Sequence, residues 1–305
     1  MEWLNSFSDK EQAAIIAAII SAVVSIITVF LKGVIDWIRE DRHLRYKLKK
    51  EYTFKQRMQI KESLAKSKTP LIQASEELNS RLKNFSKNID KRWHALPENE
   101  WTEPGAYYLV SFVYRLLAFF YWLEKAENDI YSFDFSVAAK EEKVYLKYVQ
   151  SLRNFFYDSD LLNADFKIEY FNQDYQFFKN NINKYVSYMK REDGSLIPYE
   201  QFEEKITNNC ETIKPVFKYI SDIQKDGSDP KYNIIISFHL FLIVFLNKYG
   251  LDYHYLSREK FRILINERYD GFRIKKGLMK FFERNKIMDE VEWIVTDLSL
   301  RDNSN

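Results

Sequence analysis

Cysteine is almost missing from this chain: Cys210 stands alone among 305 residues. A lone thiol excludes an intrachain disulfide and a cysteine-built zinc site, and it suits a reducing compartment. Glycine and proline are also scarce, at 7 and 6 residues. Sandwiches and barrels spend both on turns, so an all-β architecture is not expected and the reading is mainly α. Catalytic signatures are missing too. No HExxH, GxSxG or GxGxxG run occurs, and the stretch from Gly271 to Leu278 (GFRIKKGL) has one residue too many for a phosphate loop. His94 and His254 read as surface histidines in loops, His239 as a satisfied core histidine, and Cys210 has no histidine near it in sequence to activate it. Paired acids such as Glu76-Glu77, Glu141-Glu142 and Glu203-Glu204 read as solvated helix faces. Enzymatic chemistry, a cofactor and a resident metal are therefore not expected.

What is abundant is apolar and aromatic. Apolar residues make up 46% of the chain and aromatics 17%, with 21 Tyr and 24 Phe, enough for a large helical core. The net charge of +2 conceals a segregation: residues 1–31 sum to −2, 32–94 to +9, 95–230 to −8 and 231–305 to +3.

Ala13 to Leu31, AAIIAAIISAVVSIITVFL, is nineteen residues without a charge. As a helix it spans ~28 Å, close to the thickness of a bilayer core. A cleavable signal would need a basic start and a small-residue cleavage site; here Glu2, Asp9, Lys10 and Glu11 precede the run and Phe30-Leu31-Lys32 closes it. The run reads as an uncleaved transmembrane helix at 13–31 behind a short tail at 1–12. Lys32, Arg39, Arg42, Arg45, Lys47, Lys49 and Lys50 crowd its C-terminal side, whereas Lys10 is the only base before it. The positive-inside rule then leaves the N-terminus outside and the remainder in the cytoplasm, as in a bacterial inner-membrane protein. Trp3 and Trp37 flank the run where interfacial indoles settle.

Small residues recur along this run. Ala13, Ala17, Ser21 and Ser25 form one row, and Ala14, Ala18, Ser21, Ser25 and Thr28 form a stripe of alternating four- and three-residue spacing. Close approach over small side chains favours helix association in lipid, so homo-oligomerisation is expected. A parallel bundle would turn the Ser and Thr hydroxyls toward a shared axis and make a weakly polar pore. In a plain dimeric anchor the same hydroxyls would bond to their own backbone, and both readings stand.

Beyond the anchor, residues 32–68 read as a basic juxtamembrane helix, with twelve Lys or Arg against five acids. Ser67 and Thr69 before Pro70 suggest a break and a fresh helix start. A helical domain then fills 69–305: a helix to about Phe85, a loop over 88–105, and the apolar segment 106–125. Arg115 at the centre of that segment, on one face with Tyr107, Ser111, Tyr114 and Ala118, argues for a core helix, because a central Arg costs about 2.5 kcal/mol or more on insertion. Further helices are expected near 137–157, 174–191, 199–225, 257–268 and 274–299. The run Ile234–Leu246 reads as too short to cross, and a lobe boundary is expected near 227–230.

Ten basic residues against four acids lie between Arg258 and Lys286, interleaved with Phe261, Tyr269, Phe272, Phe281 and Phe282. Bases alternating with aromatics suit phosphate contact and base stacking, which makes Arg258, Arg262, Arg268, Arg273, Lys275 and Lys276 the candidate ligand residues. An amphipathic helix pair, aromatics inside and charges outside, would give the same pattern.

The stretch Thr69-Pro70-Leu71-Ile72-Gln73-Ala74-Ser75-Glu76-Glu77-Leu78-Asn79-Ser80-Arg81-Leu82-Lys83-Asn84-Phe85, followed by Tyr107-Tyr108-Leu109 running to Trp122-Leu123-Glu124, resembles a widespread group of bacterial proteins that join one N-terminal span to a helical cytosolic domain. Residues 69–125 carry the resemblance, and the rest matches in layout. In layout the chain also resembles membrane effectors of anti-phage systems such as the Hailong effector channel. That resemblance implies a homotetrameric channel held shut by a DNA oligomer, which a partner nucleotidyltransferase makes. The rival expectation is a non-conducting, membrane-anchored scaffold that recruits a partner through its acidic middle.

Overall fold

The helix that starts at Asp9 does not stop at Pro70; it runs to Asn88, 80 residues in all. The computed structural model describes residues 8–131, 135–168, 174–251, 255–268 and 273–299, and Trp3, His254, Tyr269, Gly271 and Phe272 lie outside them. Pro70 withholds the N–H that the Lys66 carbonyl would accept, which costs about 3 kcal/mol in a helix interior. Against that stands a buried seam: Ile60, Leu64, Ser67, Leu71, Ala74, Leu78, Leu82 and Phe85 keep a spacing of three and four straight through the proline. Burying each Leu or Phe contributes ~1.5–3 kcal/mol, so two of them offset the proline. The expected break is absent for that reason.

The chain divides into two units, Met1–Met58 and Gln59–Asn305. In the first, α1 (Asp9–Asn88) exposes every side chain from Ile16 to Leu31. The second holds the rest of α1 and ten further helices among the described residues: α2 (Tyr107–Tyr131), α3 (Lys140–Asn154), α4 (Asp160–Phe166), α5 (Lys179–Tyr188), α6 (Tyr199–Asn208), α7 (Lys214–Ser221), α8 (Pro230–Tyr249), α9 (Arg258–Arg268), α10 (Lys275–Arg284) and α11 (Met288–Ser299). The described residues contain no strand, only one isolated bridge between Lys190 and Leu196. The protein is mainly α.

Helix α8 is the axis of this core: every residue from Pro230 to Leu246 is buried. Asp229 caps it, its side chain accepting the Lys231 N–H at 2.9 Å. At 20 residues α8 is longer than its apolar run suggested, so packing and not length keeps it inside the unit. Helix α2 packs against α3, α5, α6 and α7, and α10 lies on α4 and α11. Aromatic rings fill the space between them, with Phe156 and Phe238 centroids 4.6 Å apart and Phe155 and Phe281 at 5.1 Å. His239 is a core histidine as expected, 1% exposed, with Nε2 3.0 Å from Asn79 Oδ1. Residues 227–230 lie inside the second unit, where the Gly227 carbonyl accepts the Asn233 amide at 3.0 Å.

Several helix ends differ from expectation. The helix expected over 199–225 is two, α6 and α7, because Asn209 turns extended and its Oδ1 accepts the Glu211 N–H at 3.1 Å. The stretch 274–299 is also two helices, parted where Lys286 takes a left-handed φ of 54°. Helix α4, between Asp160 and Phe166, had no counterpart in the sequence reading. His94 is not a surface residue but 2% exposed.

Candidate membrane segment and ligand surfaces

Three helical stretches among the described residues are long and apolar enough to cross a membrane: Asp9–Lys91, Pro104–Asp129 and Pro230–Tyr249. Packing separates them. The apolar window of the first is 0% buried, whereas those of the second and third are 72% and 83% buried. Ala14, Ala17, Ala18, Ser21, Ser25 and Thr28 are all exposed on α1. The Ser25 hydroxyl donates to the Ser21 carbonyl and that of Thr28 to the Val24 carbonyl, each at 2.7 Å. These are the local bonds by which hydroxyls satisfy themselves in apolar surroundings, and the oxygens keep lone pairs free to accept.

Beyond Leu31, two ion pairs run along the helix within the basic stretch. Arg45 meets Asp41 at 2.8 Å and Lys55 meets Glu51 at 2.9 Å, both exposed i, i+4 pairs of small worth.

The basic C-terminal residues come from two helices and the segment between them. Arg258 and Arg262 are exposed on α9, whose last residue is Arg268. Arg258 lines a cleft of about 450 Å³ with Tyr148, Lys248, Tyr255, Glu290 and Trp293. Arg273 precedes α10, its backbone N–H donating to Asn233 Oδ1 at 2.8 Å, and Lys275 and Lys276 open that helix. The aromatics meant to interleave with them are in the core: Phe261, Phe281 and Phe282 are each 0% exposed, Phe261 packing edge-on to Trp293 at 4.7 Å. They are not available to stack on a base.

A second cleft, of about 810 Å³, lies where α1, α3 and α8 converge. Lys61, Lys68 and Lys140 line it, as do Tyr145, Tyr249 and Glu290. The Lys68 ammonium stands 5.4 Å from the Tyr145 ring centroid and 5.0 Å from that of Tyr249. Both phenol oxygens are buried with no hydrogen-bond partner, and burial pushes the Tyr145 phenol well above its usual range. The Lys248–Glu290 ion pair lines both clefts. Sequence reasoning missed this site because its lysines come from three helices far apart in the chain, and no local motif marks them.

No protein-family model, no curated protein and no solved structure matches this chain.

Proposed function

We propose that this protein is a membrane-anchored homo-oligomeric effector whose α1 apolar run spans a bacterial inner membrane, N-terminus outside, with the second unit in the cytoplasm. One contrast carries the reading. Of three helices apolar enough for lipid, α1 alone leaves its apolar window wholly uncovered, and nineteen uncharged residues in water are tolerable only if lipid or other copies of the helix cover them. The stripe from Ala14 to Thr28 then forms the interface between copies, a tetramer by resemblance, and encloses a pore. In this reading the cytoplasmic unit senses an anionic nucleotide or oligonucleotide through Arg258, Arg262, Arg268, Arg273, Lys275 and Lys276. The resemblance to anti-phage effectors supplies the biological setting, with a nucleotidyltransferase as the source of the ligand.

The test is conductance of the purified protein in liposomes. Ser21→Val with Ser25→Val should lower conductance, because branched hydrocarbon dewets a narrow pore, whereas Ile19→Val with Ile26→Val should leave it near wild type. Equal behaviour of the two pairs would sink the pore. A specific observation favours the alternative, a non-conducting scaffold: the Ser25 and Thr28 hydroxyls already bond to their own backbone. A wild type that never conducts would establish that alternative in its place.

A further inference from the structure

Arg115, the residue that argues against α2 as a membrane span, faces a second arginine. Arg81 of α1 donates from Nη2 to the Ser111 hydroxyl at 2.6 Å, and Arg115 donates from Nη1 to the Ser111 carbonyl at 3.0 Å. Two guanidiniums thus converge on one serine of α2. Both are half-buried, and among the described residues neither makes an ion pair. Burial depresses the Arg81 pKa, and the charge of Arg115 depresses it further. Like charges held half out of water without a counter-ion are costly, and an anion between them would relieve both terms. Each guanidinium carries five N–H donors; Ser111 accepts one from each and the Tyr108 hydroxyl also engages Arg81, so the pair retains donors suited to phosphate.

The surroundings are aromatic and open. The Arg81 guanidinium lies 4.6 Å from the Tyr108 ring centroid and 5.9 Å from that of Tyr107. Trp93 meets Tyr108 edge-on at 5.6 Å, and the Lys91 ammonium sits 4.6 Å from the Trp93 ring. Tyr199, its hydroxyl buried, packs edge-on to Tyr114 at 5.2 Å and to Tyr107 at 6.1 Å. Tyr107 is 56% exposed and Trp93 45%, unlike the sealed phenylalanines between Arg258 and Lys286. The nearby acids are Glu77, held by Gln73 at 3.3 Å, and Glu200 and Glu203, whose charges reach Tyr114 and Tyr199. None of them neutralises the arginines by direct contact.

We propose that Arg81 and Arg115 hold the phosphate of a single-stranded oligonucleotide whose bases stack on the exposed rings of Tyr107 and Trp93. Alternating cations and open aromatic faces form the recurrent platform for such strands. The proposal takes its ligand class from the functional reading above but places the seat on α1 and α2, away from Arg258–Lys276.

The experiment is fluorescence anisotropy of labelled hexathymidylate with the full-length protein in nanodiscs. Arg81→Gln with Arg115→Gln should weaken binding about tenfold or more and flatten its salt dependence, since lost phosphate contacts release fewer counterions. Trp93→Ala, at an exposed ring, should weaken it at least about fivefold by removing a stacking face, and it serves if the arginine variants melt early. Arg81→Lys with Arg115→Lys should fall between wild type and the Gln pair, because charge remains without the bidentate fork. Wild-type affinity in both the Gln pair and Trp93→Ala, with binding lost in Arg262→Gln/Lys275→Gln/Lys276→Gln, would overturn this seat and leave the ligand reading standing. A wild type that ignores the oligonucleotide at low salt would overturn both.

Discussion

The Nε2 of His94 lies 2.9 Å from the carbonyl oxygen of Ile223, so the loop that follows α1 is tied to the end of α7. The ring is buried and meets Phe85 edge-on at 4.9 Å. Burial lowers its pKa, the Ile223 carbonyl opposes that shift, and Arg92 adds to it. A histidine with a depressed native pKa binds its proton more readily when unfolded. The stability tied to its neutral ring is therefore complete above the unfolded value of about 6.5 and drains away as pH falls through that value toward the native one.

The melting temperature should accordingly fall between about pH 7.5 and about pH 5.5, and fall less in His94→Gln. Asp158 and Asp229, whose carboxyls burial pushes up, act in the opposite sense nearer the carboxylate range and do not mimic this loss. Thermal melts of both proteins across that window decide the point. Parallel slopes would remove His94 as the cause.

Gly277 permits a close approach of α10 to α4. A Cβ there would stand 1.9 Å from the Leu161 carbonyl oxygen and 2.9 Å from its carbon, both backbone atoms of α4. The Gly277 N–H also donates to Asp165 Oδ2 at 2.7 Å. Neither backbone can retreat cheaply, so Gly277→Ala should destabilise the protein by about 2–4 kcal/mol, at or above the usual cost of overpacking. Denaturant unfolding followed by circular dichroism measures it, and a midpoint unchanged from wild type would refute the close approach of α10 and α4.

Assembly through α1 is tested in membranes. Ala17→Leu with Ser21→Leu places bulk on the small-residue stripe while keeping the run apolar, so insertion should persist and the crosslinked oligomer ladder should collapse. An unaltered ladder would assign assembly to the second unit instead.

The features legible in sequence were those that local pattern determines. A run of nineteen uncharged residues identifies itself, and Arg115 within an otherwise apolar segment correctly marked α2 as a helix with a core to face. Pro70 misled because its cost is local, while the seam that overrides it, from Ile60 to Phe85, is paid back only by partners elsewhere in the fold. The stop between α10 and α11 was missed because glycine is absent there: Lys286 adopts the left-handed backbone that glycine usually supplies, and nothing in its side chain announces it. The basic stretch near the C-terminus left a ligand face and an amphipathic helix pair both open, and the burial of Phe261, Phe281 and Phe282 accounts for those aromatics in the second way. The arginine pair was half visible: the face of α2 that carries Ser111 and Arg115 was evident, but its partner on α1 was not.

Pro70 leaves the Lys66 carbonyl without its rung in an otherwise unbroken ladder. A long helix resists bending at every hydrogen-bonded turn, and here one turn resists less. Elastic deformation of α1 within the second unit should concentrate at that turn. It lies beside Lys68, and so beside the two aromatic rings that hold that ammonium. Bending of α1 at that turn would change how the Lys68 ammonium sits over the Tyr145 and Tyr249 rings.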